Sequence, residues 1–341
     1  MPLSKIAVIP AVHGLGGMVS FQGRFITGLE KCGFAVTRDL ADPEVQAALI
    51  IGGTRQVSSL LAARRRGVQL VQRLNGMNWL HWVQPTPIKA FMRSEMNNWL
   101  LAFIRRSIVH RIIYQSQFSR WWWENRFGSL PKSNSVVYNA VDLEVYRPSD
   151  TNLALRDMVC ILVMEGHMGD FYSSGLKTAI KLARQLHLLA GIPVELVVAG
   201  DVPARLQQQT AREEGIHVRY QGVVPLEKVP ALTHEVHMLF SADLNAACPN
   251  SVVESLACGL PVIAFDTGAL KEMVPETAGA VVPYGSNYWK LEPPDVQTLA
   301  AAARCIFEKN PRYRAGARQA ALAQFGLESM LDGYLAALKP Q

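Results

Sequence analysis

Short apolar runs rich in β-branched residues alternate along this chain with longer segments in which apolar residues recur every three or four positions. The first pattern predicts buried strands and the second predicts helices. In the first half, the predicted strands are the runs at 5–12, 47–53, 68–76, 110–116 and 135–142. A glycine-rich stretch at 13–17 follows the first strand and precedes a helix predicted over 19–32. This order of strand, loop and helix is typical of parallel α/β domains.

The second half of the chain repeats the same pattern. Its predicted strands are the runs at 158–167, 193–201, 217–224, 236–243 and 260–268, which are separated by helical segments. A long helical pattern after Pro311 closes the chain. Pro148, Ser149 and Asp150 precede a polar stretch and predict an interdomain linker near 147–156. The sequence therefore predicts an α/β protein with two consecutive parallel sheets.

Composition narrows the class of protein. A chain of 341 residues suits two domains, and 49% hydrophobic with 18% charged residues excludes a disordered or fibrous chain. No apolar run approaches the roughly 18 residues that would span a bilayer, and the N-terminus is interpreted as a first strand rather than an export signal. Five cysteines without a CxxC pair argue against a disulfide framework and against a zinc site. We therefore expect a cytoplasmic protein without a metal.

Charge is distributed unevenly between the two halves. Residues 1–148 hold 18 Lys and Arg against 8 Asp and Glu, a net +10, whereas residues 149–341 hold 16 against 20, a net −4. A basic half suits nucleic acid, an anionic membrane surface or an anionic small molecule. Since the basic half has no nucleic-acid-binding motif and its parallel sheet offers no exposed aromatic platform, we expect no nucleic-acid partner.

The segment CPNSVVESLACGLPVI at 248–263 is the most informative for chemistry. Asn250 or Ser251 is expected to cap a short helix, and Gly259 is expected to end it in the left-handed conformation. The N-terminus of such a helix faces the carboxyl ends of the strands, where its N–H groups and dipole suit a phosphate or pyrophosphate. Glu254, one turn into the helix, would reach hydroxyl groups beside that anion. An anion next to a diol indicates a nucleotide sugar.

With its other motifs, the chain resembles the GT-B retaining glycosyltransferases of family four over almost its whole length. The motifs are the Gly-Gly loop after the first strand, YQSQF at 114–118, VVYNAVDLEVYRP at 136–148, VVAGD at 197–201, QGVVPLEKVPAL at 221–232, the segment around Glu254 and TGALKEMV at 267–274. The resemblance implies two Rossmann-like domains with parallel sheets facing a central cleft. It places the acceptor-side domain at 1–148, the nucleotide-sugar-binding domain at 149–325 and a C-terminal helix that crosses back to the first domain at 326–341.

The resemblance also implies roles for individual residues. Glu254 would bind the ribose hydroxyls, the loop from Gly222 to Val224 would hold the base, and Gly16 and Gly17 would let the backbone approach the phosphates and the sugar. Catalytic roles are expected for Glu254 and His167. The expected donor contacts are Gly16, Gly17, Lys177, Gly222, Val224, Asn250, Ser251, Val252 and Glu254. The donor would be a UDP- or GDP-sugar, and no cofactor or metal is expected.

One departure from the family pattern concerns the donor sugar. The family usually has a carboxylate eight residues before the second acidic residue, and here that position is Ala246. The group expected to hold donor-sugar hydroxyls is therefore missing. Asn245 and Asn250 are candidate substitutes.

Two further departures concern the cations that bind the diphosphate. His167 stands where the family commonly has Arg, and Ser174 stands where it has Lys. This leaves His167, Lys177 or an Arg of the first domain to neutralise the leaving pyrophosphate. Because such cations stabilise the transition state, we expect slow turnover or unusual contacts.

Candidate acceptor contacts lie at the end of the predicted strand 68–76. Arg73, Asn75, Asn78 and Trp79 stand where open parallel sheets receive ligands. The alternative is a hairpin-like loop in which Arg73 pairs with a backbone carbonyl. Both interpretations stay open.

The tryptophan-rich and arginine-rich segments of the basic half suggest a surface for lipid. Trp121, Trp122 and Trp123 point in three directions on a helix, so at least one is expected at the surface while core packing explains the others. The arginine runs at 64–66 and 105–106 suit either a solvated face or an anionic leaflet. Peripheral attachment to the inner face of a membrane is therefore a hypothesis.

These features favour a glycosyltransferase that moves a hexosyl group from a nucleoside diphosphate sugar to a saccharide or lipid-linked acceptor with retention. Two alternatives stay open. One is a non-catalytic nucleotide-sugar-binding or carbohydrate-binding protein of the same fold, which the departures at Ala246, His167 and Ser174 favour. The other is a GT-B sugar epimerase, which would form product without an acceptor.

Overall fold

The computed structural model describes residues 3–14, 16–149, 158–169, 173–210 and 216–340. These residues form two compact units. Unit 1 comprises Met1–Asn139 and Leu327–Gln341, and unit 2 comprises Ala140–Gly326. Most of the linker predicted at 147–156 lies outside the described residues.

Unit 1 is built around a six-stranded sheet in which every pair of neighbouring strands is parallel. Its strands are β1 (Lys5–Ile9), β2 (Ala35–Thr37), β3 (Ala47–Ile51), β4 (Gln69–Leu74), β5 (Arg111–Tyr114) and β6 (Asn134–Val136). Its helices are α1 (Gly17–Lys31), α2 (Val57–Arg65), α3 (Ile88–Phe103), α4 (Gln117–Phe127) and α12 (Leu327–Leu338). The strand order is β2-β1-β3-β4-β5-β6. Because β3 is buried along its whole length, its continuous apolar run suits a strand covered on both faces.

The last helix of the chain, α12, is part of the core of unit 1. Its Tyr334 ring lies 5.3 Å from Phe21 and 5.0 Å from Phe25, both on the buried face of α1. A Cβ built on Gly28 of α1 would lie 2.7 Å from Leu331 Cδ1, so the glycine lets the two helices approach closely. This contact surface explains why the helix belongs to unit 1 although it is separated from the rest of it in sequence.

Unit 2 contains a second six-stranded parallel sheet. Its strands are β7 (Val159–His167), β8 (Val194–Asp201), β9 (Ile216–Gly222), β10 (Met238–Phe240), β11 (Val262–Phe265) and β12 (Gly279–Val282). Its helices are α5 (Ser173–Ala190), α6 (Ala204–Thr210), α7 (Val229–His234), α8 (Asn250–Ala257), α9 (Leu270–Met273), α10 (Val296–Glu308) and α11 (Asn310–Gln324). The strand order is β12-β11-β10-β7-β8-β9. The α/β prediction of two parallel sheets is confirmed.

The boundary between the units lies earlier than residue 148. Tyr146 donates its hydroxyl to Leu226 O at 3.0 Å, and Arg318 donates to Tyr146 O at 2.8 Å and to Leu143 O at 3.0 Å. These bonds attach 140–148 to unit 2. The boundary was predicted from the turn residues at Pro148. The long-range hydrogen bonds instead place residues 140–148 in unit 2.

The structure also corrects details of the predicted elements. The edge strands β2 and β12 were not predicted, and β6 ends at Val136, well before the predicted end at 142. The long helical pattern after Pro311 forms two helices, α11 and α12, which are interrupted at Phe325 and Gly326. The Phe325 carbonyl accepts a hydrogen bond from the Val141 N–H at 3.0 Å. No helix within the described residues is both long and apolar enough to cross a membrane.

Candidate functional site

The strand order of unit 2 points to one edge of its sheet as the place for a ligand. After β7 the chain runs to β8 and β9, and it then returns to place β10 on the other side of β7. In open parallel sheets, ligands bind outside the carboxyl ends of the strands at such a point of reversal. The residues that end the strands or follow them within two positions there include His167, Asp201, Gly222, Ser241 and Thr267.

Helix α8 starts at this edge and carries Glu254. The helix begins at Asn250, and Pro249, with φ −68° and ψ 125°, is its N-cap residue without any side-chain cap bond. The prediction that Asn250 or Ser251 caps the helix is therefore wrong, because the extended conformation of Pro249 places both residues inside the first turn. Gly259 has φ 70° and ends the helix as predicted. Glu254 is only 4% exposed, so it is not a solvated helix residue.

Two carboxyl groups flank the point of reversal between β7 and β10. Glu165 lies near the end of β7, and its carboxylate accepts hydrogen bonds from the backbone N–H groups of Ala242 and Asp243, just after β10. Burial, together with the negative charge of Asp243, raises the pKa of Glu165 to about 8, and burial raises the pKa of Asp243 to about 6. Near neutral pH the pair therefore holds about one proton, and a protonated carboxyl can both donate and accept hydrogen bonds.

Several buried polar atoms around this pair have no hydrogen-bond partner among the described residues. They are Glu165 Oε1, Ser241 Oγ, Thr267 Oγ1 and both side-chain polar atoms of Asn245. An unsatisfied buried polar atom costs about 1–3 kcal/mol, so their concentration at one edge indicates a site for a polar ligand. Glu165, Asp243, Ser241 and Thr267 were missed from sequence, where the only signal was a Glu closing an otherwise apolar strand.

The loop that carries Asn245 is held close to the end of β11. Asn245 has φ 58°, and the Ala269 N–H donates to Ala246 O at 2.9 Å. A Cβ on Gly268 would lie 2.5 Å from Ala246 O, so only glycine fits there. Ala246, at the position expected to hold sugar hydroxyls, is buried and offers no polar side chain, whereas its neighbour Asn245 does.

The predicted cationic residues are carried by the end of β7 and by α5. His167 Nδ1 lies 2.8 Å from Asp201 Oδ2, which fixes the ring and leaves Nε2 for another partner. Lys177 is exposed on the second turn of α5. The start of α5 packs tightly on the loop after β10, since a Cβ on Gly175 would lie 2.8 Å from Ala242 O. His167 and Lys177 are thus carried by elements that meet at this edge.

The predicted base-binding loop begins where β9 ends. Gly222 has φ 67°, is exposed, and has open space around the position of a Cβ. Val224 is partly exposed. Contact of this loop with a base stays a prediction.

In unit 1 the glycine-rich loop lies between β1 and α1. Gly16 has φ 113° and is the N-cap residue of α1, and Gly17 is the first helical residue. A Cβ on Gly16 would meet nothing within 4 Å, so its role is conformational and leaves room above the helix N-terminus. Such a loop suits an anion, and its contact with the donor stays a prediction.

Arg73 is a structural residue of unit 1. It is completely buried, and its Nη2 donates to Asn139 Oδ1 at 2.8 Å. Its guanidinium lies 3.7 Å from the centre of the Phe21 ring. This side chain is held between β4, Asn139 and Phe21, and its contact with an acceptor stays a prediction.

The loop after β4 is anchored, but it presents polar groups. Trp123 Nε1 donates to Asn75 O at 2.6 Å, and Asn98 donates to Asn78 O at 2.9 Å. Asn75 Oδ1 is buried without a partner among the described residues, the Asn78 side chain is exposed, and Trp79 is buried. Asn75 and Asn78 therefore stay candidate acceptor contacts, whereas Trp79 packs in the core.

The arginines at 64–66 are exposed, and two of them also donate hydrogen bonds to backbone carbonyls. Arg64 donates to Ser107 O and Ile108 O, at 2.5 and 2.8 Å, and Arg66 donates to Ala41 O at 2.8 Å. In the second run Arg105 is 1% exposed and donates to Tyr114. Arg105 is therefore a core residue, whereas Arg64, Arg65 and Arg66 stay exposed and their contact with a membrane stays a prediction.

The tryptophan prediction is confirmed. Trp121 is 52% exposed, whereas Trp122 and Trp123 are buried. Among the described residues no group of three or more His, Cys, Asp and Glu side chains could hold a metal ion. All five cysteines, which lie within the described ranges, are free thiols.

Solved structures similar to this chain reveal its fold class. Sucrose-phosphate synthase from Thermosynechococcus elongatus is similar with a TM-score of 0.75 at 16% identity, over 98% of each chain. HepE from Anabaena, crystallised with UDP and glucose, is similar with a TM-score of 0.72 at 16% identity, over 98% of this chain and 99% of that chain. Residues 161–309 match the family model described as Glycosyl transferases group 1. The fold is GT-B. The predicted GT-B fold is thus confirmed. The family match covers less than half of this chain and falls within unit 2, so membership of the retaining family four stays a prediction.

Curated relatives match this GT-B chain over part of their length. The gpi3 subunit of phosphatidylinositol N-acetylglucosaminyltransferase from Schizosaccharomyces pombe is 29% identical over 42% of this chain and 31% of the relative. The GPI3 subunit of the Saccharomyces cerevisiae enzyme of the same name is 29% identical over 42% of this chain and 33% of the relative. Each alignment therefore covers about a third of the relative.

Proposed function

We propose that this GT-B protein transfers a sugar from a uridine diphosphate sugar to a lipid-linked acceptor, with retention at the anomeric carbon. The observation that carries the proposal is the group of unpartnered buried polar atoms on Glu165, Ser241, Asn245 and Thr267, at the point of strand reversal in unit 2. Sugar hydroxyls both donate and accept hydrogen bonds, so a hexosyl ring would satisfy these atoms.

The proposed donor contacts follow from the elements that meet at this edge. The N-terminus of α8 would face the diphosphate, and Glu254 would accept from the ribose hydroxyls. His167, held by Asp201, and the exposed Lys177 would neutralise the leaving diphosphate without a metal. Asn245 and the proton-sharing pair of Glu165 and Asp243 would take the place of the carboxylate that Ala246 lacks.

Two comparisons support the choice of substrates. HepE, similar in fold, was crystallised with UDP-glucose, which favours uridine over guanosine in the donor. The relatives named phosphatidylinositol N-acetylglucosaminyltransferase subunits favour N-acetylglucosamine as the sugar and a lipid as the acceptor. We propose that unit 1, with Asn75 and Asn78, holds the acceptor, and that the protein acts at the cytoplasmic face of a membrane.

The test is thermal stabilisation of the full chain by UDP, GDP, UDP-glucose and UDP-N-acetylglucosamine. A ligand at 100 times its Kd stabilises by about 2.7 kcal/mol, and we expect this from the uridine nucleotides. The Glu254→Gln variant should lose that stabilisation while melting normally without ligand. Glu227→Gln, an exposed carboxylate of unit 2, is the matched control and should respond like wild type.

Transfer itself is tested by UDP release with a glycolipid acceptor present or absent. Release that depends on the acceptor supports transfer, whereas conversion of the donor without any acceptor would indicate an epimerase. If Glu254→Gln binds UDP as tightly as wild type, the assigned donor site is wrong.

A second candidate function is nucleotide-sugar binding without transfer. The observation that favours it is Ala246, which leaves the expected sugar contact to Asn245 and the acid pair. Under this alternative UDP-sugars stabilise the protein and no acceptor among those tested releases UDP.

A further inference from the structure

Helix α3 carries a line of large apolar side chains on the surface of unit 1. These side chains, called here the α3 stripe, are Ile88 (73% exposed), Met92 (51%), Met96 (65%), Trp99 (61%) and Phe103 (48%). At about 100° per residue, all five fall within an arc of roughly 80° on the helix. Scattered single apolar residues are normal on a protein surface, whereas a contiguous line of five marks an interaction site.

The orientation of this helix is fixed by its other face. Asn98 is 1% exposed and exchanges two hydrogen bonds with the backbone of Asn78, and Ala102 is also buried. At one end of the stripe, the Trp99 ring meets Phe127 edge-on at 5.3 Å. The stripe is therefore a second apolar face of α3, additional to the face that packs in the core.

Basic residues border the α3 stripe. A groove of about 720 Å³ runs along it and is lined by Arg55, Lys89 and Arg93 as well as by apolar side chains of α3, with no acidic residue among its lining. The acidic residue of α3, Glu95, is bound to Arg126 at 2.9 Å and to His81 at 2.7 Å. The free charge beside the stripe is therefore positive.

We propose that the α3 stripe and its basic border dock unit 1 on an anionic membrane surface. A helix with one apolar face and Lys and Arg beside it is the pattern of segments that lie in the plane of a bilayer interface. Lys89, Arg93 and Arg55 attract anionic headgroups, and Trp99 suits the boundary between headgroups and acyl chains. From Ile88 to Phe103 the stripe is about 22 Å long, so it contacts the surface along its length.

The basic border disfavours a second copy of this chain as the occupant. In a two-fold symmetric interface the same patch is presented by both copies, so two sets of Lys89, Arg93 and Arg55 would enter one interface. Like charges at close range repel, whereas an anionic bilayer complements them. The proposal does not depend on the nucleotide-sugar site, because the stripe lies in unit 1 and needs no donor.

The test is flotation of the full chain with phosphatidylcholine vesicles and with vesicles in which about a third of the lipid is phosphatidylglycerol. We expect wild type to bind the anionic vesicles and to lose binding in high salt. The variant Met92→Ser/Met96→Ser/Trp99→Ser should bind at least about 30-fold more weakly, because its apolar contact is removed. Lys89→Ser/Arg93→Ser should bind at least about tenfold more weakly.

Matched control variants remove exposed apolar side chains or cations of the same kind outside α3. Leu188→Ser/Leu189→Ser removes exposed apolar side chains from α5 in unit 2, and Lys31→Ser/Arg38→Ser removes two exposed cations from unit 1 away from α3. Both should bind vesicles like wild type. UDP-induced stabilisation, measured on every variant, separates failure of this proposal from failure of the donor site.

Three results would overturn the proposal. The first is wild type that ignores anionic vesicles, and the second is binding that the stripe variant retains. The third is concentration-dependent self-association of wild type that the stripe variant abolishes, which would make the occupant a second copy of the chain.

Discussion

Replacing Glu165 by glutamine should change how the stability of unit 2 depends on pH. A carboxyl group whose pKa rises from 4.5 in the unfolded chain to about 8 in the folded protein binds its proton more tightly when folded. Its stabilising contribution is therefore complete below pH 4.5 and is lost as the pH rises towards 8. Glu165→Gln keeps a neutral side chain of the same size at every pH, so it should remove this loss.

The magnitude follows from the size of the pKa change. A fully buried carboxyl with this change would lose roughly 4–5 kcal/mol between pH 4 and pH 9. Because Glu165 is partly exposed and shares its proton with Asp243, we expect about half of that, roughly 2 kcal/mol. For a unit of this size, that corresponds to a Tm about 4–8 °C higher for Glu165→Gln at pH 8.5 relative to wild type.

The assay is differential scanning calorimetry between pH 5 and pH 8.5. The difference in Tm between Glu165→Gln and wild type should grow with pH across this window. Glu227→Gln, which replaces an exposed carboxylate, is the control and should differ from wild type by the same amount at every pH. Parallel curves for Glu165→Gln and wild type would refute the proton-sharing pair.

Two further outcomes test packing and thiol chemistry. Leu331→Ala removes a buried side chain that packs against Gly28. It should lower the free energy of unfolding of unit 1, measured by urea titration, by about 2–5 kcal/mol. An unchanged urea midpoint would contradict the packing of α12 on α1. Burial raises the pKa of the Cys258 thiol to about 11, so at pH 8 this cysteine should react with a disulfide reagent far more slowly than the exposed Cys32. The fast phase of the reaction should therefore disappear in Cys32→Ser. Its loss in Cys258→Ser instead would contradict this prediction.

Local pattern was sufficient for the order of the elements and for the fold class. The strands β1, β3 and β4 and helix α1 lie where short β-branched runs and amphipathic periodicity predicted them. These signals depend on which faces of a segment are apolar, and neighbouring residues carry that information. The edge strands β2 and β12 were not predicted. Most of their residues are only partly buried and each strand pairs with a single neighbour, whereas the equally short β10 and β11 are fully buried between two strands.

For the candidate site, the sequence indicated which elements take part but not which side chains meet there. The resemblance drew attention to Glu254 and His167, and the structure places Glu254 in a buried helix face and His167 against Asp201. The acid pair of Glu165 and Asp243 was not predicted. These residues are far apart in the chain and meet only because β7 and β10 are neighbours in the sheet.

The sequence by itself determined that this chain forms two parallel α/β units, because alternating apolar patterns leave few other ways to bury the strands. The apolar residues of α3 recur at helical spacing, although no helix was predicted there. Only the tertiary structure decided which of those positions the protein covers: Asn98 and Ala102 face the core, whereas Met96 and Trp99 face outward. The periodicity of apolar residues indicates that one face of a helix is apolar. Whether another element packs on that face depends on contacts between segments distant in sequence.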